Sequence, residues 1–100
     1  GLNTPAVREG THHAWHQYCL LAEDPQHLRD TLEQAGVESR IYYATPCHRQ
    51  QVYANHPQHE QSFPVTDDIA HRLVAIPVFH QMTDDEVDRV IEAVVASIGS

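Results

Sequence analysis

Apolar and polar positions change their period several times along this chain, and each change marks a new element. Trp15 to Ala22 reads W-H-Q-Y-C-L-L-A, aromatic and apolar without three- or four-residue steps. That pattern predicts a strand buried on at least one face. Asp24-Pro25 follows, setting a side-chain acceptor at an N-cap and a proline at the first helical position. Leu28, Leu32 and Ala35 then share one face, and Gly36 closes the helix. Val37 to Tyr43 alternates, with Val37, Ser39, Ile41 and Tyr43 on one side and Glu38, Arg40 and Tyr42 on the other. A second, half-exposed strand is expected there.

The next stretch, 48–62, is polar and rich in Gln and His, with Pro57 inside it. A short helix near Gln50 to Ala54 and then a loop are predicted. Thr66, ahead of Asp67-Asp68, is placed to cap a helix that turns Ile69 and Leu73 inward. Val74 to Phe79 reads as a short strand interrupted by Pro77, which points to a strand end or a sheet edge. The last element has the clearest signature. Thr83 and Glu86 form a capping box, Met82 and Val87 staple across it, and acids fill the first turn. Val87, Val90, Ile91, Val94, Val95 and Ile98 recur at three- and four-residue steps and are predicted to face inward, with Gly99 as the stop.

Strand, helix, strand, helix, strand, helix is the order of a two-layer α/β sandwich, a small, mainly antiparallel sheet with helices on one face. A length of 100 residues accommodates one such domain and no second core. Gly1 to Thr11, with Pro5 and Gly10 and little periodicity, reads as an incoming linker or extended segment. The expected division is a linker over 1–12 and a single domain over 13–100.

Charge narrows the function classes. Fourteen acids stand against six arginines and no lysine, a formal charge of −8 that excludes a phosphate-tracking nucleic-acid surface. No apolar run approaches the roughly 20 residues needed to span a bilayer. The two cysteines, Cys19 and Cys47, are isolated in the sequence and read as free thiols of a cytoplasmic protein. The missing lysine has a direct chemical consequence. Covalent pyridoxal-phosphate (PLP) chemistry needs a lysine amine, and no position in this chain supplies one.

Three segments, in this order and spacing, carry a resemblance that runs from about His13 to Gly99. They are H-A-W-H-Q-Y at His13 to Tyr18, I-Y-Y-A-T-P-C-H at Ile41 to His48, and the run from Ile76 through the closing helix to Val94. Phe63-Pro64 ends the polar loop between the second and third. Together they resemble the C-terminal small domain of the DegT/StrS family of PLP-dependent sugar aminotransferases. The second segment is similar to the family's His-Tyr-Pro signature, keeping Tyr43, Pro46 and His48 and departing from it at Tyr42 and Ala44. The resemblance implies the small C-terminal domain of aminotransferase fold type I, detached from an N-terminal PLP domain. It implies a parent enzyme, a homodimer, that moves an amino group, usually from glutamate, to a keto carbon of a nucleotide-linked sugar. PLP would be bound by the absent domain, with none in this chain.

The same resemblance implies that His48 faces the substrate side of a cleft, with Tyr43 and then Tyr42 as further substrate-binding candidates. Alternation allows only one of the two tyrosines to face that cleft. His12, His13, His16 and Cys19 invite a zinc reading, but His13 and His16 point to opposite faces of a strand and no C-x-x-C spacing is present. No metal site is expected. Cys47 beside His48 suggests a thiolate–imidazole couple, yet sequence neighbours on an extended chain point apart. A non-catalytic interaction module is the alternative, built on the acidic last helix and the polar 48–62 loop.

Overall fold

A computed structural model of the chain describes residues 1–99. Three strands form one antiparallel sheet in the order β1-β2-β3: β1 (Leu2–Asn3), β2 (Tyr18–Ala22) and β3 (Leu73–Ile76). The register pairs Leu20 with Val74 and Tyr18 with Ile76, and sets Leu2 opposite Ala22. Directly paired residues share a face, so Leu2, Tyr18, Leu20, Ala22, Val74 and Ile76 all point to one side. Leu28 and Leu32 of α1 (Pro25–Gln34) cover that side, together with Val90 and Ala93 of α3 (Asp84–Ile98). Leu32 and Val74 are fully buried at the centre, at 0% exposure. The expected sandwich is therefore present: a small antiparallel sheet with α1 and α3 on one face.

The stretch read as an incoming linker contributes an edge strand, because Leu2 finds the unpaired edge of β2 and joins the core. Helix α1 begins and ends as its sequence dictates. Asp24 Oδ1 accepts the His27 N–H at 3.0 Å, and Pro25 occupies the first turn. At the far end Gly36 adopts φ +76°, which lets its N–H reach the Glu33 carbonyl and the Val37 N–H reach that of Leu32. This is the Schellman arrangement, with its hydrophobic contact supplied by Leu32 and Val37, both in the core.

The second predicted strand does not form. Between Val37 and Tyr43 a single bridge remains, Arg40 to Ala75, in which each residue's N–H meets the other's carbonyl, at 3.0 and 2.7 Å. The next hydrogen-bonded pair in that register would set Glu38 against Pro77, which has no N–H to give. Alternation fails as well: Val37 is buried, but Ile41 and Tyr43 are exposed because no layer covers that side. The short helix expected near Gln50 to Ala54 is replaced by two 3-10 turns, Cys47–Arg49 and Gln51–Tyr53.

Helix α2 (Pro64–Ala70) starts ahead of the predicted Thr66 cap. Pro64 fixes φ for the first turn, and Asp67 Oδ2 reaches back to accept the Phe63 N–H at 3.0 Å, so the cap residue is Phe63. Leu73, expected to face inward from this helix, opens β3 instead.

Helix α3 has the predicted capping box. The Glu86 N–H donates to Thr83 Oγ1 at 3.2 Å, and the Thr83 N–H donates to Glu86 Oε1 at 3.4 Å. Its predicted inward face is buried only in part. Val90, Ala93 and Ser97 are buried and Val94 is half-buried, whereas Val87, Ile91, Val95 and Ile98 are exposed. The helix leans on α1 through small residues: Ala93 joins the core, and the Ser97 carbonyl lies 3.2 Å from His27 Nε2. Close approach of two helices selects small side chains at the crossing. The valine and isoleucine stripe is left turned outward.

Leu32→Ala should lower the unfolding free energy of the chain by about 2–5 kcal/mol, Thr83→Ala by about 1 kcal/mol, and Ile91→Ala by no more than about 0.5 kcal/mol. Urea titration monitored by far-UV circular dichroism measures all three. An Ile91→Ala loss as large as that of Leu32→Ala would mean that α3 turns its other face to the core.

Candidate functional site

Tyr42 and Tyr43 line an open groove of about 510 Å³ at the Pro77 end of the sheet, together with Gln17, Arg40 and Phe79. Arg40 is fixed there by its two backbone bonds to Ala75, after which the chain turns out of the sheet and carries both tyrosines with it. Tyr43 is 69% exposed, and Tyr42 is the more covered of the two. Gln17 Nε2 donates to the Tyr43 hydroxyl at 3.4 Å, joining the segment before β2 to the one after the Arg40 bridge. Arg40 is paired with Glu38, both of them largely exposed, so this pair adds little stability. Beside the groove the chain enters β2 through a stack of rings. Trp15 sits at φ +50°, its N–H donates to His13 Nδ1 at 2.8 Å, and its indole lies 3.9 Å from the His13 ring and 4.8 Å from Tyr18.

His48 is elsewhere. It lies in a separate depression of about 320 Å³ with Cys47, Tyr53, His56 and His59. Its side chain is only 11% exposed, its ring meets the Phe63 ring at 4.6 Å edge-on, and its Nε2 stands 3.3 Å from Asp67 Oδ1. That separation suits an ion pair but not a hydrogen bond in direction. Among the described residues, His48 Nε2 is the buried side-chain polar atom with no hydrogen-bond partner. The His48 carbonyl lies 3.1 Å from His59 Nδ1. These contacts tie the 3-10 turn at 47–49 to the start of α2. The His48 imidazole, expected to face the substrate side of a cleft, is largely covered in this chain by Phe63 and Asp67.

The structure thus brings Tyr42 and Tyr43 together and sets His48 apart from them. Gln17, Arg40 and Asp67 were not singled out from the sequence. Gln17 lies inside the H-A-W-H-Q-Y segment and carried that signal; the Asp67 contact joins residues far apart along the chain and left no local trace. Among the described residues, no three His, Cys, Asp or Glu side chains converge as a metal site would require. Burial pushes the Cys19 thiol up from its ordinary range, which disfavours the thiolate that would act as nucleophile or ligand. Cys47 is exposed and free. No helix among the described residues is long and apolar enough to cross a membrane.

A small antiparallel sheet backed by two helices on one face defines an α/β domain. The model of the DegT/DnrJ/EryC1/StrS aminotransferase family matches residues 1–95, and the chain belongs to that family. It is 29% identical over 93 residues to a dTDP-3-amino-3,6-dideoxy-alpha-D-galactopyranose transaminase of Aneurinibacillus thermoaerophilus, covering 93% of this chain and 25% of that protein. It is 32% identical over 91 residues to the erythromycin biosynthesis sensory transduction protein EryC1 of Saccharopolyspora erythraea, covering 91% of this chain and 25% of that one. A crystal structure of a DegT DnrJ EryC1 StrS aminotransferase from Brucella abortus superposes with a TM-score of 0.86 at 26% identity, over 99% of this chain and 26% of that one. The chain spans about a quarter of the length of the relatives it matches.

The His48–Asp67 contact predicts that the two side chains stabilise the fold jointly. In a double-mutant cycle of His48→Ala and Asp67→Asn, followed by thermal melting, the coupling should reach at least about 0.5 kcal/mol. Strictly additive losses would show that the contact does not hold the 47–63 segment on α2.

Proposed function

We propose that this chain serves as the C-terminal small domain of a PLP-dependent sugar aminotransferase. The parent transfers an amino group from an amino acid, glutamate as the proposed donor, to a keto carbon of a nucleotide-linked sugar. The observation that carries this reading is the family match over nearly the whole chain, set against a span of only a quarter of each relative. In this proposal the remaining three quarters hold the cofactor, and the parent is a cytoplasmic homodimer.

The residues present here do not fit PLP itself. A Schiff base to the cofactor aldehyde requires a lysine amine, and all six Lys and Arg positions of this chain are arginine. Arg40, Arg49 and Arg72 are moreover paired with Glu38, Glu60 and Asp68. The proposed contribution of this chain is to substrate binding. The exposed Tyr43 hydroxyl and the Gln17 amide beside it are hydrogen-bonding groups suited to sugar hydroxyls, and the tyrosine rings offer flat apolar surface to a sugar or a base. Tyr42 forms part of the same wall. His48 enters this proposal through the turn it secures: held by Phe63 and Asp67, it fixes the end of the 41–48 segment whose other end carries the tyrosines.

Borohydride reduction in the presence of PLP, read by intact mass, tests the division of labour. The 100-residue chain should gain no pyridoxyl adduct on any side chain, and the full-length parent should gain one. An adduct on an internal residue of the 100-residue chain overturns the proposal. In the parent, Tyr43→Phe should lower turnover by about tenfold without changing the melting temperature; His48→Asn, which loosens the turn, should lower turnover by about one to two orders of magnitude. Wild-type turnover in both variants would remove Tyr43 from the substrate side and His48 from the positioning of the 41–48 segment.

A further inference from the structure

The outward stripe of α3 is the largest feature of the molecule that the tyrosine groove does not use. Val87, Ile91 and Val95 form one wall of a second groove, of about 420 Å³, whose floor is the uncovered part of the core face of the sheet, Tyr18 and Ile76, with Pro77 and Val78 opposite. Every residue lining it is uncharged. Ile91 is 54% exposed and Ile98, which extends the stripe, 63%. An apolar surface of this kind, continuous with the core, marks an interaction site.

The charges around it define the partner. On a helix, residues four apart lie one above the other, so Asp84, Asp88 and Glu92 form a row along the outer edge of the exposed stripe. The one cation of the helix, Arg89, is on the other side, its guanidinium reaching toward Gly36. A second copy of the chain would bring a like acidic row against this one. A partner with an apolar stripe bordered by Lys or Arg would neutralise the row as it buried the groove. A channel walled by a helix, with an open side about two turns long between Val87 and Val95, suits another helix laid alongside it.

We propose that this groove receives an amphipathic helix with a basic border, supplied by the part of the family-length polypeptide that lies outside this chain. The inference rests on the reading of the chain as one domain of a longer aminotransferase. It adds the surface on which that domain is held and the chemistry of what holds it. The groove is a docking face of the small domain, and the tyrosine groove at the Pro77 end stays open beside it.

Two measurements test this. Fluorescein-labelled helical peptides of about 18 residues, with Leu at i, i+3, i+4 and i+7 and either Arg or Glu flanking the stripe, are titrated with the 100-residue chain. The Arg-flanked peptide should bind at least tenfold tighter than the Glu-flanked one, and Ile91→Glu should weaken its binding at least tenfold while the melting temperature of the chain is kept. Equal binding of both peptides, or no effect of Ile91→Glu, overturns the proposal. In the second measurement, Ile91→Cys is labelled with maleimide and located by peptide mapping. Labelling should be at least tenfold slower in the full-length polypeptide than in the 100-residue chain; equal rates overturn the proposal. A 100-residue chain that sediments as a dimer, and is dissociated by Ile91→Glu, would make a second copy the occupant and also overturn it. A full-length polypeptide that protects position 91 yet gains no pyridoxyl adduct would leave the docking face standing and remove the proposed function.

Discussion

Everything in this domain depends on one small burial event, the closing of Leu20 and Val74 under Leu32. The two strand residues are directly paired across β2 and β3, and the helix residue seals them from above. With no disulfide between its cysteines, the chain must hold its fold by burying apolar area, worth about 25 cal/mol per Å². Helix α1 can deliver Leu32 to that point only because both its ends are fixed, by Asp24 at the start and by Gly36 at the stop. Helix α3 then fits against α1 rather than squarely over the sheet, and this offset decides the surface of the molecule.

The offset explains why two grooves coexist. Because α3 approaches α1 through Ala93 and Ser97, it leaves the Tyr18–Ile76 end of the core face uncovered and turns its larger side chains outward. The tyrosine groove has a different origin. Pro77 ends β3 and removes the donor that would pair with Glu38, so the strand does not extend ahead of Arg40; beyond Arg40 no layer covers Ile41 and Tyr43, and the chain carries both tyrosines into the open. Tyr18, Ile76, Pro77 and Val78 contribute to both grooves. A ligand in one and a docked helix in the other would share these four residues, which offers a direct route for coupling between them.

Membership of the DegT/DnrJ/EryC1/StrS family accounts for the mixture of strong and weak order in the chain. The elements that build the core are capped, paired and buried. The segments that face outward, 41–63, are turns held by side-chain contacts such as His48 to Asp67 and Gln50 to the Thr45 carbonyl. Loops positioned by a rigid scaffold are where binding residues concentrate.

By itself the sequence determined those features whose causes are local. The N-cap at Asp24, the stop at Gly36, the capping box at Thr83 and Glu86, the apolar run of β2 and the break at Pro77 each act within a few residues, and each is present in the fold. The three segments that resemble the family were legible for the same reason, since a motif is a local pattern. Tertiary structure decided the rest. Whether Val37 to Tyr43 became a strand depended on where Pro77 ended β3 and on whether a layer arrived to cover Ile41 and Tyr43. Which side of α3 was buried depended on how closely α1 allowed it to approach, because its apolar residues span an arc wider than one contact can cover. His48 came to lie against Phe63 and Asp67, residues brought to it by a loop whose path no local pattern encodes. Periodicity states how much of an element is apolar; only the neighbours that arrive on folding determine which part of it meets solvent.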